Sequence, residues 1–211
     1  MNTAEELKRG SEQLGISLSA EAQSKLLDYL ALLHKWNKFY NLTAIRDPQQ
    51  MVSNHLLDSL AVMPYLWAGR WLDVGCGAGL PGLVLAISKP DWQFCLLDSN
   101  SKKTSFVLQA IIELGLRNAT VHCGRVEDWQ PKELYDGIIS RAFTELGNFL
   151  RKTRHLIAVH GRWAAMKGVP EQELAGLPSG CRVESIIPIH VPGLQAARSL
   201  VIATCKENEA T

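Results

Sequence analysis

Several absences narrow what this chain can be. Its five cysteines, Cys76, Cys95, Cys123, Cys181 and Cys205, are odd in number and widely spaced, with no Cys-x-x-Cys and no clustered histidines. That pattern excludes a zinc site and a dense disulfide framework, so the cysteines read as reduced core residues and no metal is expected. No apolar run approaches the roughly eighteen residues of a membrane-crossing helix. Met1 to Gly10 is charged rather than signal-like. The expectation is a soluble cytoplasmic protein with no membrane partner. Charge of one sign is also lacking, with 22 Lys and Arg against 21 Asp and Glu. No global field draws the protein onto nucleic acid, so any RNA contact must be local. Internal repeats and low-complexity segments are absent.

What is present is enough apolar material for a sizeable core: 211 residues, 46% of them hydrophobic. Residues 1–67 read as helices. A short one lies near Thr3 to Leu14, and a long one starts after Ser19 and runs through Leu26, Leu27, Leu30, Leu33 and Trp36. Asn41-Leu42-Thr43 ends that pattern. Asp47-Pro48 then opens another helix, whose buried face is Met51, Val52, Leu56, Leu57, Leu60 and Val62. From Trp71 onward strand and helix patterns alternate, with strands at 71–74, 92–97, 119–123 and 135–140 and helices from Pro81 to about Lys89 and over 101–115. A helix over 145–157 and a strand over 161–166 continue the series. Val183 to Val191 and Ser199 to Thr204 form a closing pair around Pro192-Gly193. The alternation predicts an α/β fold, a doubly wound Rossmann-like parallel sheet. Residues 1–67 would form a helical cap on the sheet domain, residues 68–211, the two packed as one compact unit.

The organising stretch is Trp71-Leu72-Asp73-Val74-Gly75-Cys76-Gly77-Ala78-Gly79-Leu80-Pro81-Gly82. A buried strand becomes a glycine turn and then a helix with Pro81 at its first position. An exposed helix N-terminus there would favour negative charge. Two ligands compete for the turn. Gly77-x-Gly79-x-x-Gly82 with Asp98 matches the dinucleotide fingerprint of an oxidoreductase. Asp73 followed by Gly75, Gly77 and Gly79 looks like the S-adenosylmethionine turn of class I methyltransferases, where a cationic sulfonium and ammonium would explain the acid.

In a doubly wound sheet the loops after the strands converge on the ligand. Asp98 there suits two ribose hydroxyls, or else belongs to a helix N-cap region. Gly124-Arg125-Val126-Glu127-Asp128 would lie beside an adenine ring, or is a solvated turn. Ser140-Arg141-Ala142-Phe143 lacks both the Asn-Pro-Pro-Tyr type of amino methylation and the Pro-Cys nucleophile of cytosine C5 enzymes. An aromatic nitrogen with a free lone pair needs neither, so positioning and electrostatics suffice. Arg141 could hold a carboxylate or phosphate. His55 and Asp58, three apart on one helix face, are a structural hydrogen-bonded pair or positioning residues beside Arg141. For local RNA contact the candidates are Lys35, Lys38, Asn41 and Arg46 in the helical part. On the sheet domain they are Arg151, Lys152, Arg154, Arg162 and Lys167. Trp36 and Phe143 either pack in the core or stack on a base.

His34-Lys35-Trp36-Asn37-Lys38 with Tyr40-Asn41-Leu42-Thr43, His55-Leu56-Leu57-Asp58-Ser59, the turn from Asp73 to Gly82, and Ser140-Arg141-Ala142 occur in order over most of the chain. Together they resemble the bacterial small-subunit ribosomal RNA guanine-N7 methyltransferase family, also called glucose-inhibited division protein B. The resemblance implies methyl transfer from S-adenosylmethionine to N7 of one guanine in a decoding-region hairpin of 16S rRNA, guanosine 527 in RNA numbering. It further implies cofactor contacts from Gly75, Leu80, Val126, Glu127 and Arg141, which Asp73, Gly77 and Asp98 join from the residue argument. The near-neutral charge points to an assembled small ribosomal subunit as substrate, met by a monomer. A non-catalytic assembly factor of the same fold would bind subunits without consuming cofactor.

Overall fold

The structure, a computed structural model, describes residues 2–206. Helix α1 (Thr3–Gln13) starts where the Asn2 side chain accepts from the Glu5 N–H and the Glu5 carboxylate accepts from the Asn2 N–H. This reciprocal cap satisfies two donors that a helix end would otherwise leave bare. Ser19 caps α2 (Ala20–Tyr40), which ends at Asn41 in the left-handed conformation, φ +48°. The third helical stretch is irregular: α3 (Pro48–Met51) passes through a π-helical segment (Val52–Leu57) into α4 (Asp58–Leu60). One continuous helix was expected from the periodicity, which cannot see a widened turn.

The sheet has seven strands: β1 (Arg70–Val74), β2 (Gln93–Asp98), β3 (Ala119–Cys123), β4 (Tyr135–Arg141), β5 (Ile157–Lys167), β6 (Cys181–Pro188) and β7 (Ser199–Cys205). Helices α5 (Gly82–Ser88), α6 (Ser101–Glu113) and α7 (Leu146–Thr153) cross between them. The strand order is β3-β2-β1-β4-β5-β7-β6. Strands β1 to β5 are parallel, as expected, but β7 runs antiparallel to both β5 and β6. The sheet is therefore mixed. A hairpin return inserts β7 between its predecessors, which the closing-pair expectation left unspecified.

Two apolar clusters cover the two faces. One joins Leu7, Leu26, Leu33 and Leu57 of the helical part to Leu83, Phe106 and Ile202 of the sheet domain, and the other gathers Leu146, Phe149 and Leu150 of α7 around Trp163. Trp71 is fully buried, and its ring lies so close to Gly137 that a Cβ there would stand 2.6 Å from it. Two expectations fail. Pro81 is not the first helical residue but the cap before it: its carbonyl accepts from the Leu85 N–H at 3.0 Å, and the first helical N–H, on Gly82, donates to the Asp73 carboxylate. Nor are the cysteines all reduced core residues. Cys181 and Cys205 face each other across β6 and β7 and are joined by a disulfide, Cys123 is exposed and Cys95 half-buried, leaving only Cys76 fully buried. Antiparallel register brings together two residues 24 apart in sequence, which spacing alone does not reveal.

Candidate functional site

Strand order reverses between β1 and β4, so their carboxyl ends flank the crevice where such sheets take ligands. At the end of β1 the chain turns through Gly75, Gly77 and Gly79 with φ of +69°, +56° and +87°. L side chains rarely adopt this conformation, which explains the alternating glycines. The N–H groups of Gly75 and Cys76 both donate to the Leu97 carbonyl, at 2.8 and 3.1 Å, tying the turn to β2. A Cβ on Gly75 would stand 2.6 Å from the Phe143 ring, whereas one on Gly77 would meet no atom closer than 4.0 Å. Gly77 thus borders open space. From the helical part, the buried Tyr29 hydroxyl donates to the Ala78 carbonyl at 2.7 Å and pins the turn from above.

Beneath the turn lies Asp73, wholly buried. Its Oδ2 accepts from the Gly82 N–H at 2.8 Å, while Oδ1 has no partner. Burial pushes this carboxyl up to about 7, against the smaller lowering effects of the Gly82 hydrogen bond and Arg141. The start of α5, expected to be exposed, is buried from Gly82 through Ile87. Its hydrogen-bond acceptor there is Asp73 itself. A dinucleotide pyrophosphate would need that same position, so the geometry disfavours the oxidoreductase reading.

Asp98 serves the same turn. Its Oδ2 accepts from the Gly77 N–H at 2.9 Å and its Oδ1 from the Asn100 N–H at 2.8 Å, while Asn100 caps α6. Each oxygen retains a lone pair directed elsewhere. Val126 is buried, and Glu127 beside it pairs with Lys152, which holds its carboxyl below the usual range. Leu80 is buried at the end of the turn.

Across the crevice, at the end of β4, Arg141 Nη1 donates to Asp58 Oδ2 at 2.8 Å and to the Asn54 carbonyl at 2.9 Å. The other oxygen of Asp58 accepts from Arg198 Nε at 3.0 Å. Asp58 is 1% exposed and so is a buried carboxylate compensated by two guanidiniums. His55 does not bond Asp58, as a structural pair would. Its Nε2 lies 2.9 Å from Thr43 Oγ1 and its Nδ1 has no partner. Burial, then the Arg141 charge, pushes His55 down to about 4 and keeps it neutral. His55 lies within the π-helical segment and Asp58 directly after it, and such segments recur at functional sites. Ala142, at φ +54°, is the non-glycine residue forced into the left-handed region just after Arg141, a cost of about 1–3 kcal/mol. Ile45, Asn54, His55, Asp58, Arg141 and Arg198 line a cleft of about 430 Å³.

Lys35, Lys38, Asn41 and Arg46 are exposed. Lys167 differs from them: its Nζ bonds the Thr144 carbonyl and Glu173, leaving the side chain 13% exposed as part of the cleft wall. Arg162 lies over the Trp67 ring at 4.0 Å. Trp36 packs against Phe106 and Phe143 against Phe149. Sequence reasoning missed Tyr29 and Arg198, and it named the Thr43 and His55 clusters separately without joining them. A usable signal existed for Arg198: a cation immediately before an antiparallel strand lies at the same edge as the carboxyl ends of the parallel ones. Among the described residues no group of three or more His, Cys, Asp or Glu is placed to hold a metal ion.

Known proteins echo this arrangement. The profile of the family described as GidB, rRNA small subunit methyltransferase G, matches residues 22–201. The Ribosomal RNA small subunit methyltransferase G of Laribacter hongkongensis is 54% identical over 202 residues, 95% of this chain and 98% of that protein. Its namesake in Chromobacterium violaceum is 53% identical over 203 residues, 95% of this chain and 97% of that protein. Among solved structures, a SAM-dependent methyltransferase from Aquifex aeolicus superposes with a TM-score of 0.56 at 20% identity, over 80% of this chain and 96% of that one. TrmN from Thermus thermophilus gives 0.57 at 16% identity, over 80% and 53%. At such identities the structural likeness speaks to a shared Rossmann-like fold, whereas the sequence match runs through the helical part, the glycine turn and the C-terminal strands alike. By that match, this chain belongs to the rRNA small subunit methyltransferase G family.

Proposed function

We propose that this protein transfers a methyl group from S-adenosylmethionine to N7 of one guanine in 16S rRNA, guanosine 527 in RNA numbering, on the small ribosomal subunit. The observation that carries the reading is the wholly buried Asp73, with one oxygen unpartnered beneath a glycine turn that borders open space. An uncompensated buried acid is costly alone and suits a cationic ligand. S-adenosylmethionine, when bound, supplies an electrophilic methyl on a sulfonium centre.

The chain's own residues then divide the work. Asp73 faces the cationic end, Gly75, Gly77 and Leu80 shape the floor, and the free lone pairs of Asp98 suit ribose hydroxyls. Val126 and Glu127 close the side expected for the adenine. Arg141, fixed by Asp58 and the Asn54 carbonyl, stands between that floor and the substrate cleft. Guanine N7 attacks with its own lone pair, so no residue must remove a proton. A neutral His55 fits this need, because it neither repels a cationic methyl donor nor consumes protons. Positioning therefore carries the catalysis. Lys35, Lys38, Asn41 and Arg46 contact RNA beside the cleft. Residues 1–67 act as a cap packed on the sheet domain, residues 68–211, a reading supported by the apolar cluster they share. The acting species is a cytoplasmic monomer.

Labelled methyl transfer to undermethylated small subunits and to naked 16S rRNA, followed by nucleoside analysis, tests this. The label is expected in 7-methylguanosine and mainly on the subunit. Label in another nucleoside would overturn the N7 assignment, and subunit binding without label would leave the assembly-factor reading in its place.

A further inference from the structure

Phe39 is the most exposed large apolar side chain among the described residues, at 77%. It stands in the last turn of a well-formed helix, where its neighbours find packing: Trp36 lies against Phe106, and the half-exposed Tyr40 lies 5.2 Å from Trp36. Phe39 has no ring partner among the described aromatic contacts, and it shares a helix face with Lys35, four residues earlier.

The stretch that carries it is basic, although Asp28 precedes it and Asp47 follows it. From Tyr29 to Arg46 the chain carries Lys35, Lys38 and Arg46 and no acid. Among the described residues, none of these three is in an ion pair, although Lys35 also borders a groove with Asp28 and Glu113. The segment leads into the cleft. Asn37 folds it back by accepting from the Thr43 N–H and donating to the Ile45 carbonyl, Thr43 reaches His55, and Ile45 lines the cleft wall. An exposed ring flanked by unpaired cations, on a connector anchored at the cleft, matches the combination that holds single-stranded nucleic acid.

We propose that Phe39 stacks on an unpaired base of the RNA beside the target nucleotide, while Lys38 and Arg46 take the adjoining phosphates. This rests on the RNA-methylating reading above. It assigns Phe39 to substrate binding and specificity, apart from the cofactor pocket.

The test compares Phe39→Ala, Phe39→Leu and Phe39→Trp in the full chain. It measures kcat and KM on undermethylated subunits, direct binding to those subunits by filter retention, and thermal stabilisation by S-adenosylhomocysteine. Phe39→Ala is expected to weaken subunit binding and raise KM about tenfold. Its kcat should stay within about twofold and its response to S-adenosylhomocysteine should not change. Phe39→Trp should restore binding, and Phe39→Leu, apolar but without a π face, should not. Unchanged binding in Phe39→Ala, or full restoration by leucine, would overturn stacking. A wild-type mass that rises with protein concentration and falls in Phe39→Ala would overturn it in favour of self-association. If wild-type protein transfers no methyl, the functional reading fails, and the filter measurements still decide whether Phe39 holds RNA.

Discussion

Replacing Asp73 with asparagine is expected to move stability and cofactor affinity in opposite directions above neutral pH. Burial raises the Asp73 carboxyl from 3.8 to about 7. A raised acid pKa means the folded state holds the proton more tightly than the unfolded chain does. The associated stability is thus complete below pH 3.8 and is lost as pH climbs toward 7. Between about pH 5 and about pH 8 the loss is about 2–3 kcal/mol, at about 1.4 kcal/mol per pH unit until the folded carboxyl ionises. Asparagine keeps an oxygen for the Gly82 N–H but cannot ionise. Its amide nitrogen would occupy the position of the unpartnered Oδ1, at a pH-independent cost of about 1–3 kcal/mol. Urea denaturation of both proteins across that range should show the variant gaining about 2–3 kcal/mol on the wild type from pH 5 to pH 8. Calorimetry should show wild-type affinity for S-adenosylhomocysteine, which retains the ammonium, rising with pH toward about 7 as Asp73 becomes free to ionise. The variant should bind at least about tenfold more weakly at pH 8. A stability difference that is flat with pH would refute the buried, protonated Asp73; unchanged affinity would refute its role toward the cation.

Arg198→Ala leaves the buried Asp58 with Arg141 alone, so urea denaturation should show a loss of about 2 kcal/mol and kcat/KM on subunits should fall at least about tenfold. Unchanged values of both would remove Arg198 from the site. Tyr29→Phe strips the Ala78 carbonyl of its donor, and a loss of about 1–2 kcal/mol with several-fold weaker S-adenosylhomocysteine binding is expected. Binding at wild-type strength would show that the turn holds itself. His55 is lowered from 6.5 to about 4, so the folded state favours its neutral form, and stability falls as pH drops through that window by about 3 kcal/mol. His55→Gln should lessen that acid sensitivity, and wild-type kcat should show no His55 inflection between about pH 6 and about pH 8. Asp73 titrates in that range, so only an inflection that His55→Gln abolishes would mean that His55 titrates during turnover.

Much of this site was legible in the chain because its parts are local. Trp71 to Gly82 encode strand, turn and helix within a few residues, and positive φ at Gly75, Gly77 and Gly79 is a requirement that glycine meets cheaply. Asp98 and Arg141 were nominated by one rule, that loops after parallel strands converge, and both lie at the carboxyl ends of their strands. The rule fails for Arg198, which precedes its strand and reaches the cleft because β7 runs the other way. It was equally blind to Phe39, since periodicity reports which positions repeat but not that a particular ring is left without a partner.

Sequence alone determined the α/β alternation, the glycine turn and the acid beneath it, because each depends on contacts between residues close along the chain. Only the tertiary structure decided that Asp58 balances two arginines, 83 and 140 residues away, that Tyr29 pins a turn 49 residues on, and that Asp73 keeps one oxygen unsatisfied. Burial and pairing are properties of the folded whole: the same carboxylate is ordinary in water and a strained, ligand-seeking group once the core has closed around it.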